Sequence, residues 1–94
     1  MGERPAEIRI HDFEEVDLGL SPDEAVAEAE RCLQCKKPLC VKGCPVGIDI
    51  PGFVHQVAEG NFPAAARSLK DQNMLPAICG RVCPQETQCE GVCV

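Results

Sequence analysis

Apolar and polar residues nowhere alternate for more than a few positions, so strands are not expected. Apolar residues return instead at three- and four-residue spacing, the period of one helix face. In "SPDEAVAEAERCL", Ala25, Ala29 and Cys32, with Val26 and Leu33, share such a face. Ser21 stands where a cap belongs, Pro22 suits the first helical position and Glu24 completes a capping box. Asp23 and Glu24 also favour the positive end of a helix dipole. A helix over 22–33 is predicted, carrying Cys32 in its last turn. A second helix opens at Pro51 and ends at Gly60, with Phe53, Val54, Val57 and Ala58 as its apolar face. A third, capped by Asn61, opens at Pro63 and runs to about Gln72, turning Phe62, Ala65, Ala66 and Leu69 inward. Pro76 opens a short fourth helix bearing Cys79 and reaching Cys83.

The remaining segments lack a period. Residues 36–50 contain Pro38, Gly43, Pro45 and Gly47 and read as loop, and the tail "CPQETQCEGVCV" reads as turns. In residues 1–20, Phe13, Val16, Leu18 and Leu20 alternate loosely with acids. They suggest an extended N-terminal arm, laid over the rest by those four side chains. The predicted architecture is all-α: one domain over 21–94, built of short helices joined by cysteine-rich loops, behind an arm at 1–20.

Composition changes what holds such a domain together. Ninety-four residues bury only a thin core, and this chain has no Trp, no Tyr and three Phe. Eight cysteines stand in their place, so sulfur chemistry is expected to staple the fold. The net charge of −6 argues against nucleic acid as a partner. Ten of the fifteen acids lie in residues 1–30, while Arg31, Lys36, Lys37 and Lys42 surround the first cysteines. Those bases fit either a solvated loop or a counter-charge to a thiolate-bound anion. "MGERPAEIRI" has no apolar signal region, and Ala6 stands where a myristoylation site needs Ser or Thr. No apolar run approaches the ~18 residues of a membrane span. The default compartment is cytoplasmic, where clustered cysteines serve metals more often than disulfides.

The cysteines form two blocks: Cys32-x2-Cys35-x4-Cys40-x3-Cys44-Pro45, then Cys79-x3-Cys83-Pro84-x4-Cys89-x3-Cys93. The first differs by one longer gap from the bacterial ferredoxin pattern C-x2-C-x2-C-x3-C-P. Gly43, Gly80 and Gly91 lie beside or between cysteines, where small residues let backbone N–H groups approach sulfur. Zinc is the competing reading, because several C-x2-4-C pairs can be cut from the sequence. The Cys-Pro pairs and the four-thiol first block favour iron and sulfide. His11 and His55 stand alone and read as surface or packing residues. No dinucleotide fingerprint and no nucleophile–base pair is present.

The blocks "EAERCLQCKKPLCVKGCPVGIDIPGF" and "LPAICGRVCPQETQCEGVC" resemble the N-terminal iron–sulfur domain of glutamate synthase small subunits and dihydropyrimidine dehydrogenases. The resemblance covers about residues 8–94. It implies an α-helical ferredoxin-like domain with two 4Fe-4S clusters. On matching positions, Cys32, Cys35, Cys40 and Cys93 would hold one cluster, and Cys44, Cys83 and Cys89 the other. The family's remaining ligand is in several members a Gln or Glu beyond the last cysteine, and Cys79 is left unligated. Simple counting of eight thiols would recruit Cys79 instead. The stop at Val94 reads as a fragment of a longer NADPH-dependent oxidoreductase, not catalytic by itself. The resemblance further implies FAD- and NADPH-binding domains in that parent and a large subunit or second flavoprotein as electron partner. A zinc-stapled helical interaction module is the alternative.

Overall fold

The computed structural model describes residues 2–94, and helices account for its regular structure as the periodicity predicts. Among the described residues the order is α1 (Ala6–Arg9), α2 (Pro22–Glu30), α3 (Leu39–Gly43), α4 (Ile50–Ala58), α5 (Phe62–Gln72) and α6 (Pro76–Val82), then 3₁₀ turns at Gln85–Thr87 and Glu90–Val92. The only β pairing among them is an isolated antiparallel bridge, Glu3 to Asp17.

Local chemistry starts the helices where the sequence says it should. Ser21 Oγ accepts the Glu24 N–H at 3.2 Å, and the Glu24 carboxylate accepts the Ser21 N–H at 3.2 Å. Both halves of the capping box are therefore made, and the Ser21 partnership holds the Glu24 carboxyl below its usual pKa. The Asp49 carboxylate caps α4 by accepting the Gly52 N–H at 3.2 Å, so this helix opens at Ile50, one residue before Pro51. Asn61 Oδ1 accepts the Ala64 N–H at 3.3 Å and starts α5. Gly60, at φ +78°, supplies the left-handed residue that ends α4 and turns the chain. Replacing Ser21 by Ala is expected to cost about 1 kcal/mol, read as a lower urea midpoint with an unchanged slope.

Packing is concentrated in one half of the molecule. Helix α4 lies against both α2 and α5. Ser68 Oγ donates to Gln56 Oε1 at 2.7 Å, and the Asp49 N–H donates to Gln72 Oε1 at 3.0 Å, tying α5 to both ends of α4. The buried core is Ala29, Ile48 and Ala65. Two of those three side chains are single methyl groups, so the helices meet closely but bury little area. By the usual ~25 cal/mol per Å² of apolar surface, such a core stabilises weakly.

Several expectations need correction. The first long helix ends at Glu30, not at residue 33; Cys32 follows it in a turn closed by its N–H to Ala29 O at 3.1 Å. Leu33 is 71% exposed and leaves the helical face. Residues 36–50 are not all loop, because α3 fits between Pro38 and the residue before Cys44. Phe62 and Ala66 of α5 are exposed, and Ala65 alone is buried there. The arm includes a helical turn and doubles back on itself, with Arg4 N–H to Val16 O at 2.9 Å and Leu18 N–H to Gly2 O at 2.8 Å. Arg4 and Asp12 close it with a two-pronged ion pair. Phe13, Val16, Leu18 and Leu20 all face solvent instead of lying on the domain. Charge makes the contact instead: the Arg81 guanidinium of α6 donates to the Glu15 carboxylate at 3.2 Å.

Candidate metal centre

All eight cysteines are free thiols; Cys35 and Cys93 are exposed and the other six half-buried. Six of them come in pairs four residues apart, each pair spanning one short helix end. Cys40 lies in α3 and Cys44 caps its C-terminus; Cys79 lies in α6 and Cys83 caps it; Cys89 and Cys93 bracket the Glu90–Val92 turn. The second member of every pair is extended, with ψ of 119°, 133° and 137° in turn. A following proline disfavours the α region for the residue before it. Pro45 and Pro84 thus stop α3 and α6 at a cysteine. Cys32 and Cys35 are delivered differently, on either side of a bend where Gln34 sits at φ +51°. That left-handed residue is held by its own side chain: Gln34 Nε2 donates to Pro51 O at 3.1 Å and to Cys32 Sγ at 3.5 Å.

The thiols gather in two places. An open cavity of about 670 Å³ is lined by Cys32, Cys35, Cys40 and Cys93, with Cys89 also on its wall. Its other walls come from the start of α4 (Ile50, Pro51, Val54) and from Pro38 and Leu39. Burial pushes the Cys40 thiol up, and the nearby Cys93 and Cys32 add to the rise. Burial likewise pushes Cys83 up, with Cys79, Cys44 and Cys89 as its electrostatic neighbours. Cys44 goes the other way: burial acts to raise it, but hydrogen bonds from the backbone N–H groups of Ile48, Val46 and Gly47 prevail and lower it. A sulfur under several N–H donors is an environment suited to a thiolate.

Gly43 brings the two blocks together. Helix α3 packs on the Glu90–Val92 turn, and a Cβ at Gly43 would stand 2.8 Å from Gln88 O, 2.7 Å from Val92 Cγ2 and 3.2 Å from Cys89 Cα. Only a residue without a side chain permits this approach. Gly91 does the same within the tail, where a Cβ would come 2.8 Å from Glu86 O. Nothing lies within 4 Å of a Cβ at Gly80, so proximity to a cysteine alone does not require glycine. Arg31 pairs with Glu28, whereas Lys36, Lys37 and Lys42 are exposed and form no ion pair among the described residues. His55 pairs with Glu59 on the surface of α4, away from the sulfur groups. Gln34 and Asn73, whose amides donate to Cys32 and Cys79, carry no local sequence signal, because only the fold brings them to sulfur.

The donor set suits iron and sulfide. Tetrahedral zinc with Zn–S near 2.3 Å needs thiolates about 3.8 Å apart. Among the described residues no three Cys, His, Asp or Glu side chains converge on one ion position. The sulfurs instead line a wider space and receive N–H donors, the contacts that tune cluster sulfur. A thin helical scaffold whose thiols gather in this way defines an iron–sulfur electron-transfer domain.

The chain belongs to the family whose model is described as dihydropyrimidine dehydrogenase domain II, 4Fe-4S cluster, which matches residues 9–94. It is similar to the glutamate synthase (NADPH) small chain of Halomonas elongata, 44% identical over 90 residues, covering 96% of this chain and 19% of that protein. The corresponding Escherichia coli small chain is 42% identical with the same coverage. The NAD-dependent dihydropyrimidine dehydrogenase subunit PreT of Salmonella typhimurium is 38% identical over 81 residues, covering 86% of this chain and 20% of that protein. The chain thus spans about a fifth of the length of these relatives. No helix among the described residues is long and apolar enough to cross a membrane.

Proposed function

We propose that the chain binds two 4Fe-4S clusters and relays single electrons within a larger NADPH-linked flavoprotein of the glutamate synthase small-subunit type. The observation that carries the reading is the cavity faced by Cys32, Cys35, Cys40 and Cys93, drawn from both cysteine blocks. These four hold the first cluster. Cys44, Cys83 and Cys89 hold three corners of the second, which is supported by their grouping around Cys83. Cys89 also lines the cavity; the resemblance gives it to the second group, and its electrostatic link to Cys83 supports that.

Bound there, a cluster supplies the one-electron chemistry that no side chain of this protein has. The chain's own residues hold, orient and tune. Extended Cys44, Cys83 and Cys93 turn their thiols off the helix ends, and the Val46–Ile48 N–H groups stabilise negative charge on Cys44. Gln34 fixes the bend that spaces Cys32 from Cys35. The first group is open to solvent on the side of Cys35 and Cys93, which suits exchange of electrons with a docked partner. Flavin- and NADPH-binding domains of the same longer chain, and a large subunit or second flavoprotein, are the partners this reading supplies. Met74, Leu75, Ile78 and Val82 expose an apolar face on and beside α6, which suits contact with such domains.

The test is the content of iron, acid-labile sulfide and zinc after anaerobic purification. About eight iron and eight sulfide per chain, with a brown colour, are expected for two clusters. Two zinc without sulfide, not displaced on reconstitution with iron and sulfide, would establish the zinc-stapled module instead.

A further inference from the structure

Among the described residues, Gln34 is the one residue other than glycine with a left-handed backbone, at φ +51°. L side chains rarely adopt that region, and a strained residue points to a task. A bend alone does not call for glutamine, because glycine takes this φ without strain. The side chain supplies the reason. Gln34 Nε2 donates to Pro51 O at 3.1 Å and, reaching back two residues, to Cys32 Sγ at 3.5 Å. A backbone carbonyl only accepts, so the end of the amide against Pro51 must be its NH₂ group. That group has two hydrogens to give. With one committed to Pro51 O, the other is left for the sulfur. Pro51 belongs to the first turn of α4, and both Pro51 and Cys32 line the cavity. The tether to α4 thus keeps an N–H donor at Cys32, where an untethered exposed side chain would turn to water.

We propose that Gln34 sets the reduction potential of the first cluster by donating an amide N–H to the ligand sulfur of Cys32, aimed there by Pro51 O. Gln34 is then a positioning and tuning residue, not a ligand. The inference rests on the two-cluster reading and deepens it. A cluster gains negative charge on reduction. A donor to a ligand sulfur stabilises that charge, so it raises the potential.

The experiment compares the wild-type chain with Gln34→Gly and Gln34→Glu, each reconstituted with iron and sulfide. Iron and sulfide are counted, and both clusters are titrated by spectroscopically monitored reduction. Gln34→Gly permits the left-handed bend and removes the amide. It is expected to keep the wild-type iron content and to move one cluster to a more negative potential while the other stays. Gln34→Glu keeps the shape of the side chain but replaces the donor with a carboxylate oxygen. It should move the same cluster further in the same direction. Unmoved potentials in both variants would overturn the proposal. Equal shifts of both clusters in Gln34→Gly would overturn it too, because a general loosening of the fold would then be the cause. Loss of about half the iron in Gln34→Gly would make the side chain necessary for holding ligands and would equally overturn a tuning role. A wild-type chain that takes up no iron and sulfide would instead sink the two-cluster reading itself, a result the variants cannot mimic.

Discussion

Removing iron and sulfide is expected to unfold one half of this domain and spare the other. Among the described residues, every buried one, Ala29, Ile48 and Ala65, lies in or beside the α2–α4–α5 layer. That layer has two interhelical faces, capped helix starts and the Ser68–Gln56 and Gln72–Asp49 links. The remainder has none of these. Residues 34–47 and 79–94 bury no side chain, and their cross-contact is chiefly α3 against the Glu90–Val92 turn. Ordering them costs roughly 1–2 kcal/mol of backbone entropy per residue, which so little contact does not offset. Binding of metal by small sites is coupled to folding for this reason. In the metal-free chain, amides of α2, α4 and α5 should keep measurable exchange protection, while those of 34–47 and 79–94 should exchange near the rate of an open chain. Equal protection in both halves would refute the division. The spared half is itself marginal, with a core of two alanines and one isoleucine, so its protection should be modest and vanish at low urea.

Gly43→Ala is expected to be the most damaging single-methyl change in the chain. Besides Val92 Cγ2, the added Cβ meets a carbonyl oxygen and a Cα of the opposing backbone, which no side-chain movement relieves. Overpacking of this sort typically costs about 1–3 kcal/mol, and here the strained contact is the hinge on which Cys40 and Cys44 meet Cys89 and Cys93. Iron uptake should therefore fall at both sites together, whereas loss of one ligand should affect one site. Gly80→Ala is the matched control. Nothing approaches a Cβ there, and Ala is favoured over Gly in a helix by about 1 kcal/mol. Normal iron content in Gly43→Ala would show that α3 and the C-terminal turn can separate without loss of either site.

Local signals proved legible and distant ones did not. Ser21, Asn61 and the prolines at helix starts act on their own neighbours within a few residues, so the sequence pattern is enough to place them. Helix α3 was hidden because Pro38, Gly43 and Pro45 look like breakers, although a five-residue helical turn fits between the first and last. Phe13, Val16, Leu18 and Leu20 have the spacing of a buried stripe, but all four stay exposed in the fold. Cysteine spacing points to metal, and resemblance alone divides the thiols into two sets. The amides of Gln34 and Asn73 were invisible, since a tuning contact depends on which sulfur the folded chain brings within reach. The sequence suggests a close approach to sulfur at Gly43; the constraint in the fold is the opposing backbone at Gln88 and Cys89.

The cavity wall also has a bearing on when this protein can be loaded. Cys32, Cys35 and Cys40 face Cys89 and Cys93 across it, so the pocket exists only when both blocks are present. On a ribosome building the chain from its N-terminus, the first block emerges as naked thiols with nothing to close over. It must wait, reduced and exposed, while the roughly fifty residues that carry α4, α5 and α6 are added. On the proposed reading, cofactor insertion therefore belongs after release of the Cys89–Cys93 turn from the exit tunnel.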